Sequence, residues 1–387
     1  MREVSIIGIG QTSVDEHWNK SLRELAGEAI FAALFDAGIN SIDGIFVGNM
    51  MSAMLSKQDS LGIFINDWLG MPGLEAIKIE AACGSGAAAL RAGIMAVSSG
   101  EMDYVVVAGV EKMTESLPIE TTEALATAAD ADYEAAQGLS FVALNALIMR
   151  RYLHEYGWNH THFAPFSINA HANALKNPYA RLHEAISESD YNRARMIADP
   201  INLLDASPTG DGAAALVLSP LSSSTANHKK RVKIIGSASS TDSIAVHSRE
   251  KLLWLSAAEN SAKKAYSQAG ITPEMIDLFE VHDAFSIMSA LSLEACGFAE
   301  PGQAPRLALD GEIFPDGSLP ITTLGGLKAR GHPVGATGIY QIVEVVQQLR
   351  GEAGPAQILT ANIGMAQNIG GSGATIITHI LSNDRLP

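Results

Sequence analysis

The chain predicts an α/β protein made of two copies of one βαβ-rich domain, with a largely helical lobe inserted in the first copy. Three observations carry this reading. Short apolar stretches alternate with amphipathic helical ones. Segments of the first half return in the second half in the same order. One matched pair then breaks the spacing by about 90 residues, too many for a plain loop.

Strands are expected over 4–9, 44–48, 76–81, 104–109 and 278–281, and helices over 21–37, 86–99 and 257–269. Val4-Ser5-Ile6-Ile7-Gly8 returns as Val232-Lys233-Ile234-Ile235-Gly236, and Ala37-Gly38-Ile39 as Ala269-Gly270-Ile271. Asp43-Gly44-Ile45-Phe46-Val47 returns as Asp277-Leu278-Phe279-Glu280-Val281. Cys83-Gly84-Ser85-Gly86-Ala87 aligns with His332-Pro333-Val334-Gly335-Ala336, and Gly100-Glu101 with Gly351-Glu352. The offsets, 228, 232, 234, 249 and 251, grow slowly, as loop insertions would make them. The run from Gly212 then matches the run from Gly373 at an offset of only 161, which places the insertion in the first copy. The expected units are a first half over 1–110 and 206–225, an inserted lobe over 111–205, and a second half over 230–387. A polar linker over 220–230 joins the copies.

At 387 residues, 47% hydrophobic and 18% charged, the chain has an ordinary globular composition. A formal net charge of -16 argues against general binding to nucleic acid or an anionic membrane. Two cysteines make no disulfide framework, so a reducing, cytoplasmic setting is expected. The start runs straight into a strand without a signal-peptide pattern, and no apolar run reaches membrane-spanning length. There is no phosphate-binding GxxxxGK[ST] loop, and Gly8-Ile9-Gly10 lacks the third glycine of a dinucleotide fingerprint.

The candidate chemistry centres on Glu80-Ala81-Ala82-Cys83-Gly84-Ser85-Gly86-Ala87. Cys83 is expected at a strand–turn–helix tip, where free N–H groups and the helix dipole lower a thiol pKa. The repeat sets His332 at the equivalent tip of the second copy, so a pseudo-two-fold brings the two together. His282 ends the strand over 278–281, on the side of the sheet where α/β proteins gather ligands. Asn368-Ile369-Gly370-Gly371-Ser372-Gly373 can offer bare N–H groups to an oxyanion.

With these motifs the sequence resembles the thiolases, which make or cleave a carbon–carbon bond between acyl-CoA thioesters. The resemblance rests on Ala82-Cys83-Gly84-Ser85-Gly86, His282-Asp283-Ala284-Phe285, the glycine-His-Pro block from Gly325 to Gly338, and Asn368 to Gly373. It implies duplicated βαβαβαββ domains in a five-layered αβαβα core with an inserted loop domain. It implies Cys83 as the acylated nucleophile, His332 as its activating base and His282 in the place often held by Asn. Cys83, Gly370 and His332 are the implied oxyanion-hole residues; Asn368, Gly331 and Phe285 are the implied substrate contacts. No metal or resident cofactor is implied, coenzyme A being substrate or product. A homodimer or tetramer is implied, with the strand over 76–81 as the subunit contact. The His-Asp-Ala-Phe form resembles the archaeal and sterol-carrier-protein type. Some archaeal members sit in a complex with hydroxymethylglutaryl-CoA synthase and a small zinc-ribbon/OB-fold scaffold protein, which sets a partner-dependent subunit beside the free-standing enzyme. The sequence departs from the family where a second cysteine is usual. Asn368 and Ala284 fill both places that supply it, leaving His282 and His332 as candidate bases. Acyl transfer to another acceptor is the remaining alternative.

Other residues have plainer expectations. Cys296 reads as helix core. His160 and His162 carry a zinc-like spacing without partners and read as a solvated loop. Asp211 reads as a turn residue. Arg150-Arg151 and Arg193-Ala194-Arg195 read as solvated helix faces.

Overall fold

A computed structural model describes residues 2–223 and 231–383, so most of the expected linker over 220–230 lies outside the described residues. The first half runs β1 (Val4–Gln11), α1 (Leu22–Ala37), β2 (Gly44–Gly48), α2 (Ser52–Leu55), α3 (Leu61–Trp68), β3 (Glu75–Ile79), α4 (Ser85–Ser99) and β4 (Val105–Glu111). There follow α5 (Pro118–Ala126), α6 (Phe141–Tyr156), α7 (Ala164–Ala174), α8 (Glu188–Arg193) and a hairpin, β5 (Met196–Ala198) with β6 (Ile201–Asn202). β7 (Gly212–Pro220) returns to the first half. The second half runs β8 (Val232–Thr241), α9 (Ser256–Ala269), β9 (Leu278–Glu280), α10 (Ser286–Ala295), α11 (Ala304–Leu309), α12 (Thr337–Arg350), β10 (Ile363–Gly370) and β11 (Thr375–Ser382).

Local chemistry sets the boundaries. Ser21 and Glu24 form a capping box at the start of α1, with Ser21 N–H donating to Glu24 Oε2 at 2.7 Å. Gly38, at φ +69°, ends the helix in the left-handed conformation. β4 and β7 are apolar almost without interruption because both faces are covered. Val105 and Val107 face one core, while Val106 and Ala108 face another.

The strand order is β3-β2-β4-β7-β1-β8-β11-β10-β9. The duplication is visible in it. β3-β2-β4-β7-β1 in the first half corresponds to Ile321-β9-β10-β11-β8 in the second, each read from its outer edge toward the central junction. The counterpart of β3 has shrunk to a single parallel bridge between Phe279 and Ile321. The two half-sheets join edge to edge through antiparallel pairing of Val4 with Ile234 and Ile6 with Val232. Three cores separate five layers. α1 and α3 cover the outer face of the first half-sheet. α4 and α12 fill the middle between the half-sheets. α9 covers the outer face of the second, and α10 and α6 extend that core into the inserted segment.

The two central helices approach closely. A Cβ on Gly86 would lie 2.9 Å from Gly335 O, and one on Gly338 would lie 2.5 Å from Ala87 N. Only glycine admits this backbone contact. It brings the N-terminal ends of α4 and α12, and with them the Cys83 turn and the His332 loop, to one place.

Candidate active site

The Cys83 turn is tightly bent. Ala82 has φ +52°, an uncommon value for a residue with a side chain. Its N–H donates to Glu80 Oε1 at 2.5 Å. Ser85 Oγ accepts from Ala81 N–H at 2.9 Å and donates to Ala82 O at 2.6 Å, closing the turn. Cys83 therefore stands just ahead of α4, half-buried.

The loop carrying His332 is held by the motif carrying His282. Asp283 accepts from Leu327 N–H at 2.6 Å and from Lys328 N–H at 3.3 Å, in a short π-turn over Gly326–Arg330. A Cβ on Gly326 would fall 2.6 Å from the Asp283 carboxylate, so this close approach requires glycine. His332 N–H then donates to Pro208 O at 3.2 Å.

Cys83, His282, His332 and Phe285 line one cavity of about 240 Å³. Met113, Val334, Ile369 and Gly371 lie around them, and the inserted segment roofs it with Thr122, Leu125, Phe141, Val142 and Asn145. The His282 and His332 rings meet edge to face, 5.2 Å between centroids.

The contacts of the two imidazoles favour opposite tautomers. His332 Nδ1 lies 2.7 Å from Thr337 Oγ1, whose hydroxyl donates to Pro333 O at 3.1 Å. Thr337 therefore accepts from Nδ1–H, and His332 Nε2 keeps its lone pair. His282 Nδ1 faces the amide nitrogen of Asn368 at 3.0 Å and accepts from it, leaving the proton on Nε2. Burial keeps both rings neutral: it lowers His282 to about 3 and His332 well below the ordinary histidine value, with Arg330 adding to both and His282 to His332. One ring is a base and the other a hydrogen-bond donor.

The thiol corrects an expectation. Burial, and then the negative charge of Glu111 and Glu80, pushes Cys83 up to about 12. Its own N–H and that of Gly371 act in the opposite direction without offsetting this. The thiol is therefore raised rather than lowered as its place at the helix tip suggested, and it stands beside a neutral imidazole.

Three other expected residues stand around this group. Ile369 lines the cavity, so strand alternation puts Asn368 and Gly370 on the other face of β10. Asn368 is buried behind His282, and a Cβ on Gly370 would meet Ala81 O at 2.4 Å. The N–H of Gly371 is directed at the Cys83 sulfur, and Gly370 N lies beside the same turn, 3.4 Å from where a Cβ on Gly84 would stand. Gly331, at φ +104°, packs behind His332 against Val14 and Arg181 and does not line the cavity.

Sequence reasoning missed several supports. Glu111, fully buried at the end of β4, accepts from Asn49 Nδ2, Met50 N–H and Met51 N–H, and from Gly335 N–H across the two halves. Burial raises it to about 7. Asp211 is no simple turn residue: fully buried, it accepts from the N–H groups of His17, Met113 and Thr114. His160 is not solvated; it pairs with Asp205 at 2.6 Å and stacks on Tyr191. Cys296 is buried against Gln367. Among the described residues, no cluster of three His, Cys, Asp or Glu could hold a metal, and no helix is long and apolar enough to cross a membrane.

Comparison with known proteins places the chain in a family. The family described as "Thiolase, N-terminal domain" matches residues 4–222, and "Thiolase C-terminal domain-like" matches 238–383. The chain is 44% identical over 384 residues to an acetyl-CoA acetyltransferase of Methanothermobacter thermautotrophicus, covering 99% of this chain and 100% of that one. It is 30% identical to human sterol carrier protein 2, over 98% of this chain and 72% of the relative. Among solved structures, the "Ltp2-ChsH2(DUF35) aldolase" superposes with a TM-score of 0.87 at 24% identity, covering 99% of this chain and 98% of that one.

Proposed function

The chain belongs to the thiolase family, and from that premise we propose that it forms or cleaves 3-ketoacyl-CoA through an acyl-Cys83 intermediate. The carrying observation is that Cys83, His282 and His332 converge on one cavity, with Thr337 Oγ1 and the Asn368 amide set against the two Nδ1 atoms. Full-length similarity to acetyl-CoA acetyltransferases supports acetyl-CoA and acetoacetyl-CoA as the substrates.

In the first half-reaction Cys83 sulfur attacks the thioester carbonyl as His332 Nε2 takes the thiol proton. The oxyanion lies between the N–H of Cys83 and that of Gly371, with Gly370 shaping the turn. Coenzyme A leaves and takes the proton from His332. In the second, the thioester oxygen of another acyl-CoA accepts from His282 Nε2–H. His332, empty again, removes the α-proton; the carbanion attacks the acyl carbon on Cys83. The Cys83 thiolate leaves and recovers the proton from His332. Every proton taken is returned, so one base serves both halves and the missing second cysteine is not needed for balance. Thiolysis is the reverse.

Incubation with acetoacetyl-CoA and coenzyme A tests this: acetyl-CoA is expected as product, with an acetyl adduct on the intact protein. Product and adduct persisting unchanged in Cys83→Ala would refute it. The edge strand β3, with Ile77 41% exposed, supports a homodimer formed through that strand.

A second reading is favoured by Asn368 and Ala284 standing where thiols are usual. In it, the acyl group passes to another acceptor, or turnover needs a partner such as a hydroxymethylglutaryl-CoA synthase with a zinc-ribbon/OB-fold scaffold. The likeness in fold to the "Ltp2-ChsH2(DUF35) aldolase" supports this reading. Turnover appearing only after the partner is added would select this reading.

A further inference from the structure

One polar atom in the cavity has no use in the reaction just described. Asn145 lies on α6, in the roof, and is 1% exposed. Its amide nitrogen donates to Phe141 O, four residues back, at 2.9 Å, which fixes the orientation of the amide. The oxygen, Oδ1, is buried without a hydrogen-bond partner. Its neighbours in the roof, Phe141, Val142 and Leu125, and Met288 across the cavity, offer no donor side chain. Thr122, in the same roof, directs its hydroxyl back to Pro118 O at 2.8 Å. Buried polar atoms are nearly always satisfied, and an acceptor left open in an apolar wall points to a donor that arrives with the ligand.

We propose that Asn145 is a substrate-recognition residue whose Oδ1 accepts a hydrogen bond from an N–H or O–H group carried by the acyl thioester. This rests on the thiolase reading and adds a demand to it. Acetyl and acetoacetyl groups carry no such donor on the acyl side. The donor is then either the first amide N–H of the pantetheine arm or a hydroxyl on a longer acyl chain. A site that presents a buried acceptor also discriminates against analogues that leave it unpaired.

The test compares wild type with Asn145→Leu, which keeps the volume and removes the acceptor, by the rate of Cys83 acylation read as intact mass. Two probe pairs locate the donor. One is S-acetyl-N-acetylcysteamine against its analogue with an ester oxygen in place of the amide N–H. The other is 3-hydroxybutyryl-CoA against butyryl-CoA. Wild type is expected to favour the donor-bearing member of one pair by about tenfold or more, and Asn145→Leu to bring that ratio close to one. The first pair responding assigns the pantetheine arm; the second assigns the acyl chain. A general folding defect would slow all four probes alike and leave the ratios intact. Ratios unchanged in both pairs would overturn the inference. Failure of wild-type Cys83 to be acylated by any thioester, acetyl-CoA included, would instead overturn the thiolase reading and this inference with it.

Discussion

Thr337 and Asn368 decide what the two histidines can do. Each holds an Nδ1, one as acceptor and one as donor, and so fixes which ring presents a lone pair and which a proton at Nε2. Thr337→Val keeps the shape and removes the hydroxyl, and with it the acceptor for Nδ1–H and the bond to Pro333 O. A net hydrogen bond of about 0.5–1.5 kcal/mol predicts acylation of Cys83 slowed by about two- to tenfold with the fold retained, measured by stopped-time intact mass. An unchanged rate would separate Thr337 from the base. The thiol itself makes a second prediction. Because burial raises Cys83 to about 12, iodoacetamide alkylation should climb with pH from 7 to 10 without a plateau near neutrality. A plateau reached by pH 7 would restore the thiolate that the helix tip alone suggested. Cys83, His282 and His332 were legible in the sequence because nucleophile and imidazoles stand on turn motifs. Asn145, Glu111 and Thr337 were not: an Asn on a helix, a Glu ending a strand and a Thr opening a helix acquire their roles only from what faces them once the chain is folded.

The contact of α4 with α12 is the element on which the site depends. Gly86 and Gly338 let the two backbones meet, and the Cys83 and His332 loops lie at the ends so joined. Gly86→Ala places a methyl group 2.9 Å from Gly335 O and 3.1 Å from Ile339 N. Overpacking of this kind predicts a loss of about 1–3 kcal/mol in denaturant unfolding, larger than the small gain alanine gives a helix interior. A midpoint equal to that of wild type would mean that the helices part without loss. The strands and helices of both copies could be read in advance because each carries its own apolar period. The second copy's outer strand could not. Ile321 pairs through one bridge between Pro320 and Thr322, the latter at φ +48°, too short a stretch to leave a period.

At the scale of the whole molecule, duplication explains why the active site sits where it does. β1 and β8 hydrogen-bond the halves edge to edge, and Glu111 of the first half accepts from Gly335 of the second. That continuity closes the inner edges and leaves β3 and β9 outermost. β9 is short and has the Ile321 bridge beside it, whereas β3 is open along five residues and carries the exposed Ile77. The chain is therefore expected to scatter light as a dimer or a pair of dimers, and Ile77→Lys to shift it toward monomer. A wild-type monomer would remove β3 from the assembly.

The division of labour between the imidazoles is tested most directly by His282→Ala in two assays on the same preparation: single-turnover acylation of Cys83 by acetyl-CoA, and steady-state cleavage of acetoacetyl-CoA. With His332 as the base of both steps and His282 as donor to the second thioester, cleavage should fall by about 10²–10³ while acylation changes little. Equal losses in the two assays, or none in either, would contradict it.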